Sequence, residues 1–254
     1  MRINTNVGAL TASKNIFVNN MAVENSMRKL SSGLRISRAA DDAAGLSIAN
    51  KLRTQARSLT QASANAEQGN AMLQIAEGAA QTIQKIIERQ KELLVQAASG
   101  SNAGVSATIG TEITTLQNEA TRIKADANFQ GTNVFASLSF QVSDNSTNGS
   151  FSVDASFTLT SLSGSSTLAN ADTALTAVND ALAAIGAGQN RLDYTVQNLK
   201  SAVVNVRAAE STIRDVDMAE EMANFTKNNI LKEAAQAMLG QANQGSQSIL
   251  QLLR

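Results

Sequence analysis

The apolar positions between Asn50 and Ala98 keep one helical beat. Leu59, Ala62, Ala66, Gly69, Leu73, Ala76, Ala80, Ile83, Ile87, Leu94 and Ala97 recur at intervals of three and four, interrupted only by Gln90. Met72, Ile75, Ala79, Ile86 and Leu93 form a second seam beside the first. A sustained spacing near 3.5 residues predicts one long α-helix, packed along its length with a slight left-handed supercoil. No proline interrupts it, and at 1.5 Å per residue it would run roughly 70 Å. Two seams call for partners on two sides. Either the rest of the chain supplies them, or other copies of the chain do.

The same beat predicts further helices. Residues 3–34 carry it through Ile16, Val23, Met27, Leu30 and Leu34, with Ile3, Val7 and Leu10 leading in. About 105–127 carry it through Ile109, Ile113, Leu116, Ala120, Ile123 and Ala127. A polar turn at 99–104 with two glycines sets that helix antiparallel to the long one. About 168–212 carry it through Leu175, Val178, Leu182, Ile185, Leu192, Val196, Leu199, Val203, Val206 and Ile213. That length makes it the natural partner of the central helix. The last helix covers about 218–253, with Leu231, Ala235, Met238, Ala242, Ile249 and Leu253 on one face and a weak turn at Gly245 or Ser246. Ile230, Leu239, Leu250 and Leu252 widen that face beyond a single stripe. Bulky apolar groups so near a terminus, usually polar and frayed, are a liability when exposed and an assembly surface when shared between copies.

Between the third and fourth helices the period changes to two. Leu138, Phe140 and Val142 alternate with polar residues, as do Phe151, Val153, Ala155, Phe157 and Leu159. The Asn- and Gly-rich stretch 144–150 between them predicts a β-hairpin with six to nine residues a side. A lone hairpin is marginal in water, so its apolar face should lie on the helices. Five of the seven phenylalanines fall in this segment. After the first helix, Gly33 suits a C-cap and Ser37 or Asp41 an N-cap. Arg35 and Arg38 stand close enough in sequence to pair with Asp41 and Asp42. Asp215 or Asp217 offers an N-cap for the last helix.

Composition removes most chemistry. The 254 residues include no Cys, His, Pro or Trp, and 21 basic residues balance 21 acidic ones. Without His and Cys there is no Ser-His-Asp or Cys-His nucleophile and no zinc or iron–sulfur motif of the usual kinds. No Gly-rich phosphate loop occurs. Two adjacent carboxylates, Asp41 and Asp42, lack a third ligand nearby, so capping explains them better than a metal. No enzyme activity, cofactor or metal is expected. The charge balance gives no argument for nucleic acid, and no apolar run is long enough for a membrane span. Residues 1–6 lack the apolar core and cleavage site of a secretory leader.

Several blocks resemble one family, bacterial flagellin. They are Met1-Arg-Ile-Asn-Thr-Asn6, Leu30-Ser-Ser-Gly-Leu-Arg-Ile36, Asp41-Asp-Ala-Ala-Gly45, Ile48-Ala-Asn50 and Leu59-Thr-Gln-Ala-Ser63 near one end. Near the other they are Glu210-Ser-Thr-Ile-Arg-Asp215, Gln241-Ala-Asn243 and Ser248-Ile-Leu-Gln-Leu-Leu-Arg254. The resemblance covers about 1–140 and 165–254 and implies a short form without the variable outer domains. It implies a mainly α fold: a long antiparallel bundle or coiled coil, one β-hairpin, and paired N- and C-terminal helices. It divides the chain into an N-terminal filament-core helix and connecting spoke (1–45), a long helical hairpin of the second layer (46–128), and a β-hairpin region in place of the variable domains (129–166). A returning long helix (167–214) and a C-terminal core helix (215–254) complete it.

By the same resemblance the chain is a structural subunit that polymerises helically into the bacterial flagellar filament for swimming, outside the cell. Ile16, Val23, Met27, Leu231, Met238, Ile249 and Leu253 are the expected assembly core. The implied partners are other flagellin copies, the flagellin export chaperone, the type III export apparatus, and the filament cap and hook–filament junction proteins. A vertebrate Toll-like receptor joins them, through Arg89, Leu93 and Glu112, with Lys91 and Gln90 departing from the family's usual residues there. Surface Ser and Thr in 143–167 would be the place for O-linked sugars. A hook–filament junction protein and a soluble coiled-coil adaptor are the alternative readings.

Overall fold

The computed structural model describes residues 5–99, 104–144 and 149–252, the side chains of 246–252 excepted. The elements are α1 (Val7–Ser32), α2 (Ala43–Ala98), α3 (Ser106–Asp126), β1 (Asn128–Phe129), β2 (Thr132–Asn133), β3 (Ser137–Gln141), β4 (Ser150–Asp154), α4 (Leu168–Arg214) and α5 (Met218–Leu252). The fold is mainly α, as the periodicity predicts. Part of the 99–104 turn and the tip of the hairpin, 145–148, lie outside the described residues. The chain forms two compact units: residues up to Thr54 together with those from Val206 onward, and Gln55–Asn205.

In the second unit the first seam of α2 is buried from Leu59 to Leu94, Gln90 included. The second seam is a shoulder of the same face rather than another buried one. Met72 and Leu93 are buried, Ala79 and Ile86 half-buried, and Ile75 is exposed. α4 runs antiparallel to α2, and polar latches mark the register along its length. Lys200 lies 2.9 Å from Glu67, Asn70 donates to Asp193 at 2.8 Å, Gln189 donates to Glu77 at 2.9 Å, and Lys91 lies 2.5 Å from Asp172. The buried line of α4 is Ala171, Ala174, Val178, Ala181, Ile185, Gly188, Leu192 and Leu199. The bulkier Leu175 and Leu182 flank it half-buried. At Gly188 the line has no room for a side chain, since a Cβ there would stand 2.8 Å from Val153 and 3.1 Å from Leu73.

β3 and β4 pair antiparallel, with Leu138 opposite Val153 and Phe140 opposite Phe151. Each strand has five residues, shorter than the six to nine expected. The alternation outlasts the pairing, however, and Ala155 and Phe157 are still buried. The apolar face lies on the helices through two glycines. A Cβ on Gly69 would stand 3.0 Å from the Phe140 ring, and one on Gly188 would stand 2.8 Å from Val153. Arg191 sits 4.5 Å from the centre of the Phe151 ring, and Lys124 donates to the Phe157 carbonyl. A smaller hairpin, β1–β2, turns through Gln130 and Gly131, both at positive φ (50° and 82°), the geometry of a two-residue primed turn.

In the first unit, Gly33 ends α1 in the left-handed conformation at φ 69°, its N–H bonding the Lys29 carbonyl. The chain then lies beside the end of α4. Arg35 N–H donates to the Arg214 carbonyl at 2.7 Å and Val216 N–H to the Gly33 carbonyl at 3.1 Å. Arg35 does not pair with Asp41 or Asp42 as expected. Its guanidinium donates to the Ile213 carbonyl at 2.6 Å, at a helix end where carbonyls lack intrahelical partners. Asp41 ties the turn by accepting from Ser37 and Arg38 N–H at 3.1 and 2.9 Å. Those backbone bonds hold its carboxyl below the ordinary value. The N-cap of α2 is the next residue, Asp42, which accepts from Gly45 N–H at 2.9 Å. A Cβ on Gly45 would fall 2.3 Å from that carboxylate and 2.8 Å from Ile36, so the closed cap requires glycine. Asp217 rather than Asp215 caps α5, accepting from Ala219 N–H at 2.9 Å. α5 continues through Gly245 without the expected turn.

Candidate assembly interface

α1 and α5 pair antiparallel. Asn6 caps α1 by accepting from Ala9 N–H at 3.1 Å, and its amide donates to the Ala242 carbonyl of α5 at 2.9 Å. At the other end Lys29 stands 3.7 Å from Glu221. Between these points the inner faces mix small, polar and bulky apolar residues. On α1 the buried residues are Ala12, Val23 and Ser26. On α5 the half-buried stripe is Glu221, Phe225, Asn228, Lys232, Ala235, Leu239 and Ala242.

This stripe is not the apolar face that the sequence singles out. Leu231 and Met238 are exposed, Met238 at 64%. Met27 is exposed while its neighbour Ser26 is buried. Ile16 is half-buried and Val23 fully so, within a single copy. Leu253 and the side chain of Ile249 lie outside the described residues. The expected assembly residues thus divide: Ile16 and Val23 serve the α1–α5 pair, while Met27, Leu231 and Met238 turn outward.

Other outward groups join them. Val7 and Leu10, which lead into the α1 beat, and Ile230, which widens the α5 face, are exposed. Phe17, Val18, Met21, Met218 and Met222 are exposed too, and sequence reasoning passed over these five because they fall outside the chosen stripes. An open groove runs along the pair, lined by Ala12, Val18, Leu231, Ala235, Met238 and Ala242 among others. Such a concentration of large apolar side chains marks a contact surface.

The residues expected at a receptor separate as well. Arg89 lies 2.9 Å from Glu92 and 3.5 Å from Glu112, all three exposed. The bond that Arg89 donates to Glu92, with Glu112 adding, raises the guanidinium above its ordinary value. Leu93 is in the core at 2% exposure. Gln90, beside them in sequence, is fully buried. It donates to the Ile113 carbonyl at 3.0 Å and to Gln117 at 3.3 Å. Among the described residues no group of His, Cys, Asp and Glu could hold a metal ion, and no helix is long and apolar enough to cross a membrane.

Residues 3–139 match the family described as bacterial flagellin N-terminal helical region, and residues 168–253 match its C-terminal helical region. The short interval between the matches holds β4 and the chain that leads from it to α4. A flagellin of Halalkalibacterium halodurans is 42% identical over 274 aligned residues, spanning 100% of both chains. The flagellar filament 33 kDa core protein of Treponema phagedenis is 40% identical, again over 100% of each. A flagellin of Bacillus subtilis is 38% identical over the same full coverage. Matched in both its helical regions and along its whole length, the chain belongs to the bacterial flagellin family.

Proposed function

We propose that this chain is a structural subunit that polymerises helically into the bacterial flagellar filament, which drives swimming. It is a structural protein and not an enzyme, and its principal partner is further copies of itself. One observation carries the reading. The α1–α5 pair buries Val23 and half-buries Ile16, Phe225 and Leu239, yet leaves a larger set of bulky apolar side chains, Met27, Leu231 and Met238 among them, outside. A contact that repeats head to tail without closing yields an open helical polymer, and burial of those outward side chains supplies the driving force.

In this reading residues 1–45 supply a filament-core helix and its connecting spoke and 215–254 a second core helix, while 46–128, 129–166 and 167–214 form the layer around them. Met27, Leu231 and Met238 meet neighbouring copies directly, and Ile249 and Leu253 extend that face. Ile16 and Val23 hold the pair together. The filament is extracellular, and the chain would reach it unfolded through the type III export apparatus. The outward face of α5 would be covered by the export chaperone on the way. The cap and the hook–filament junction proteins would meet the same terminal helices at the filament ends. A vertebrate Toll-like receptor would meet Arg89 and Glu112, with Leu93 supporting them from beneath.

The test is the double substitution Leu231→Asp and Met238→Asp. Both positions are exposed, so the monomer should keep its helix content by circular dichroism. Salting-out, which yields filaments of the parent chain by electron microscopy, should yield none of the variant. Filaments of the variant at the parent's critical concentration would overturn the reading.

A further inference from the structure

The chain has no Cys and no Trp, so its thioethers are its most readily oxidised side chains. Of seven methionines, five lie exposed on α1 and α5: Met21, Met27, Met218, Met222 and Met238. Met72 is buried in the core of the other unit at 6%, and Met1 lies outside the described residues. Among the described residues, five of the eleven exposed large apolar side chains on α1 and α5 are methionine. They are not confined to one spot. The antiparallel pairing set by Asn6–Ala242 and Lys29–Glu221 places Met27 level with Met222 at one end, while Met238 lines the groove toward the other.

We infer that these five methionines are a reversible oxidation site that switches the assembly surface off. The inference rests on the assembly reading above. A peroxide transfers one oxygen atom to the thioether. Its O–O bond breaks, an S–O bond forms, the sulfur gives up two electrons and the peroxide leaves as water. The sulfoxide is polar and chiral, and it cannot be buried against a neighbour at the cost of a thioether. A sulfoxide reductase with a dithiol reverses the step, releasing the oxygen as water and leaving the dithiol as a disulfide. The switch acts on unassembled chains, because polymerisation covers the same sulfurs.

The experiment treats the monomeric chain with dilute hydrogen peroxide, maps sulfoxides by peptide mass spectrometry, and then measures the critical concentration for salt-induced polymerisation. Met21, Met27, Met218, Met222 and Met238 should oxidise well before Met72. The critical concentration should rise by about tenfold or more, as expected for losing the burial of a single methionine side chain. Methionine sulfoxide reductases should restore it. The same five sites in preformed filaments should resist peroxide. A chain with all five changed to leucine should polymerise identically before and after treatment. Undiminished assembly of the oxidised chain, or failure of the reductases to restore it, overturns the inference. Reductase rescue needs no variant, so it decides even where the leucine chain misfolds. Untreated chain that never polymerises would instead overturn the assembly reading, and this inference with it.

Discussion

Gln90 is the residue that least resembles its neighbours in the α2 seam. It takes a core position at 0% exposure, yet its Oε1 has no hydrogen-bond partner. An orphaned buried acceptor costs about 1–3 kcal/mol. The Nε2 bonds to Ile113 and Gln117 offset part of that and fix α3 at one height along α2, as a polar residue does in other helical seams. Removing Gln117 alone, as Gln117→Leu, should lower stability by about 1 kcal/mol. Replacing both by leucine removes the orphan and should raise stability above the parent's by about 1–3 kcal/mol. Urea unfolding of the three chains decides it. A double variant weaker than the parent would show that shape, not polarity, governs the site.

Elements meet here through what is missing from them. Gly188 and Gly186 lie two apart on α4, yet their surroundings differ. A Cβ at Gly188 meets Val153 at 2.8 Å and Leu73 at 3.1 Å, whereas a Cβ at Gly186 meets nothing within 4 Å. Gly188→Ala should therefore unseat the β3–β4 hairpin and cost about 1–3 kcal/mol. Gly186→Ala should gain about 0.5–1 kcal/mol from helix propensity alone. Thermal melts of the two variants should move in opposite directions, and a common sign would refute the close approach. The same contrast explains which elements the sequence made legible. The α2 seam and the hairpin were plain because bulky groups recur at 3.5 and at 2. The buried line of α4 was not, because Ala171, Ala174, Ala181 and Gly188 are too small to stand out as a hydrophobic beat. β1–β2 escaped notice because two-residue strands show no period. Only the Gln130-Gly131 turn could have announced it.

At the scale of the whole molecule the folded copy is unfinished. Its inner α1–α5 stripe could not be told from its outer one by sequence, for an instructive reason. Hydrophobicity says which faces want burial, but not which of them a single copy buries first. Here Leu231 and Met238 wait while Asn228 and Lys232 are half covered. Candidate contact residues were therefore legible as apolar positions, and their division into inner and outer was not. Burying the outer set on polymerisation removes apolar surface from water, which lowers heat capacity. Calorimetry of assembly over a range of temperatures should give a clearly negative heat-capacity change. A change near zero would mean that polar contacts, not these side chains, join the copies.

The crossing of Gly33–Arg35 with Arg214–Val216 makes the two extremities a matched set. Each strand lends the other a backbone partner: the Gly33 carbonyl receives Val216, and the Arg214 carbonyl receives Arg35. A protease that trims away the chain beyond α4 therefore damages the opposite extremity too, leaving Gly33 with an unanswered acceptor. Loss of either segment thus removes a backbone bond from the other, so truncation beyond α4 should loosen the turn that ends α1.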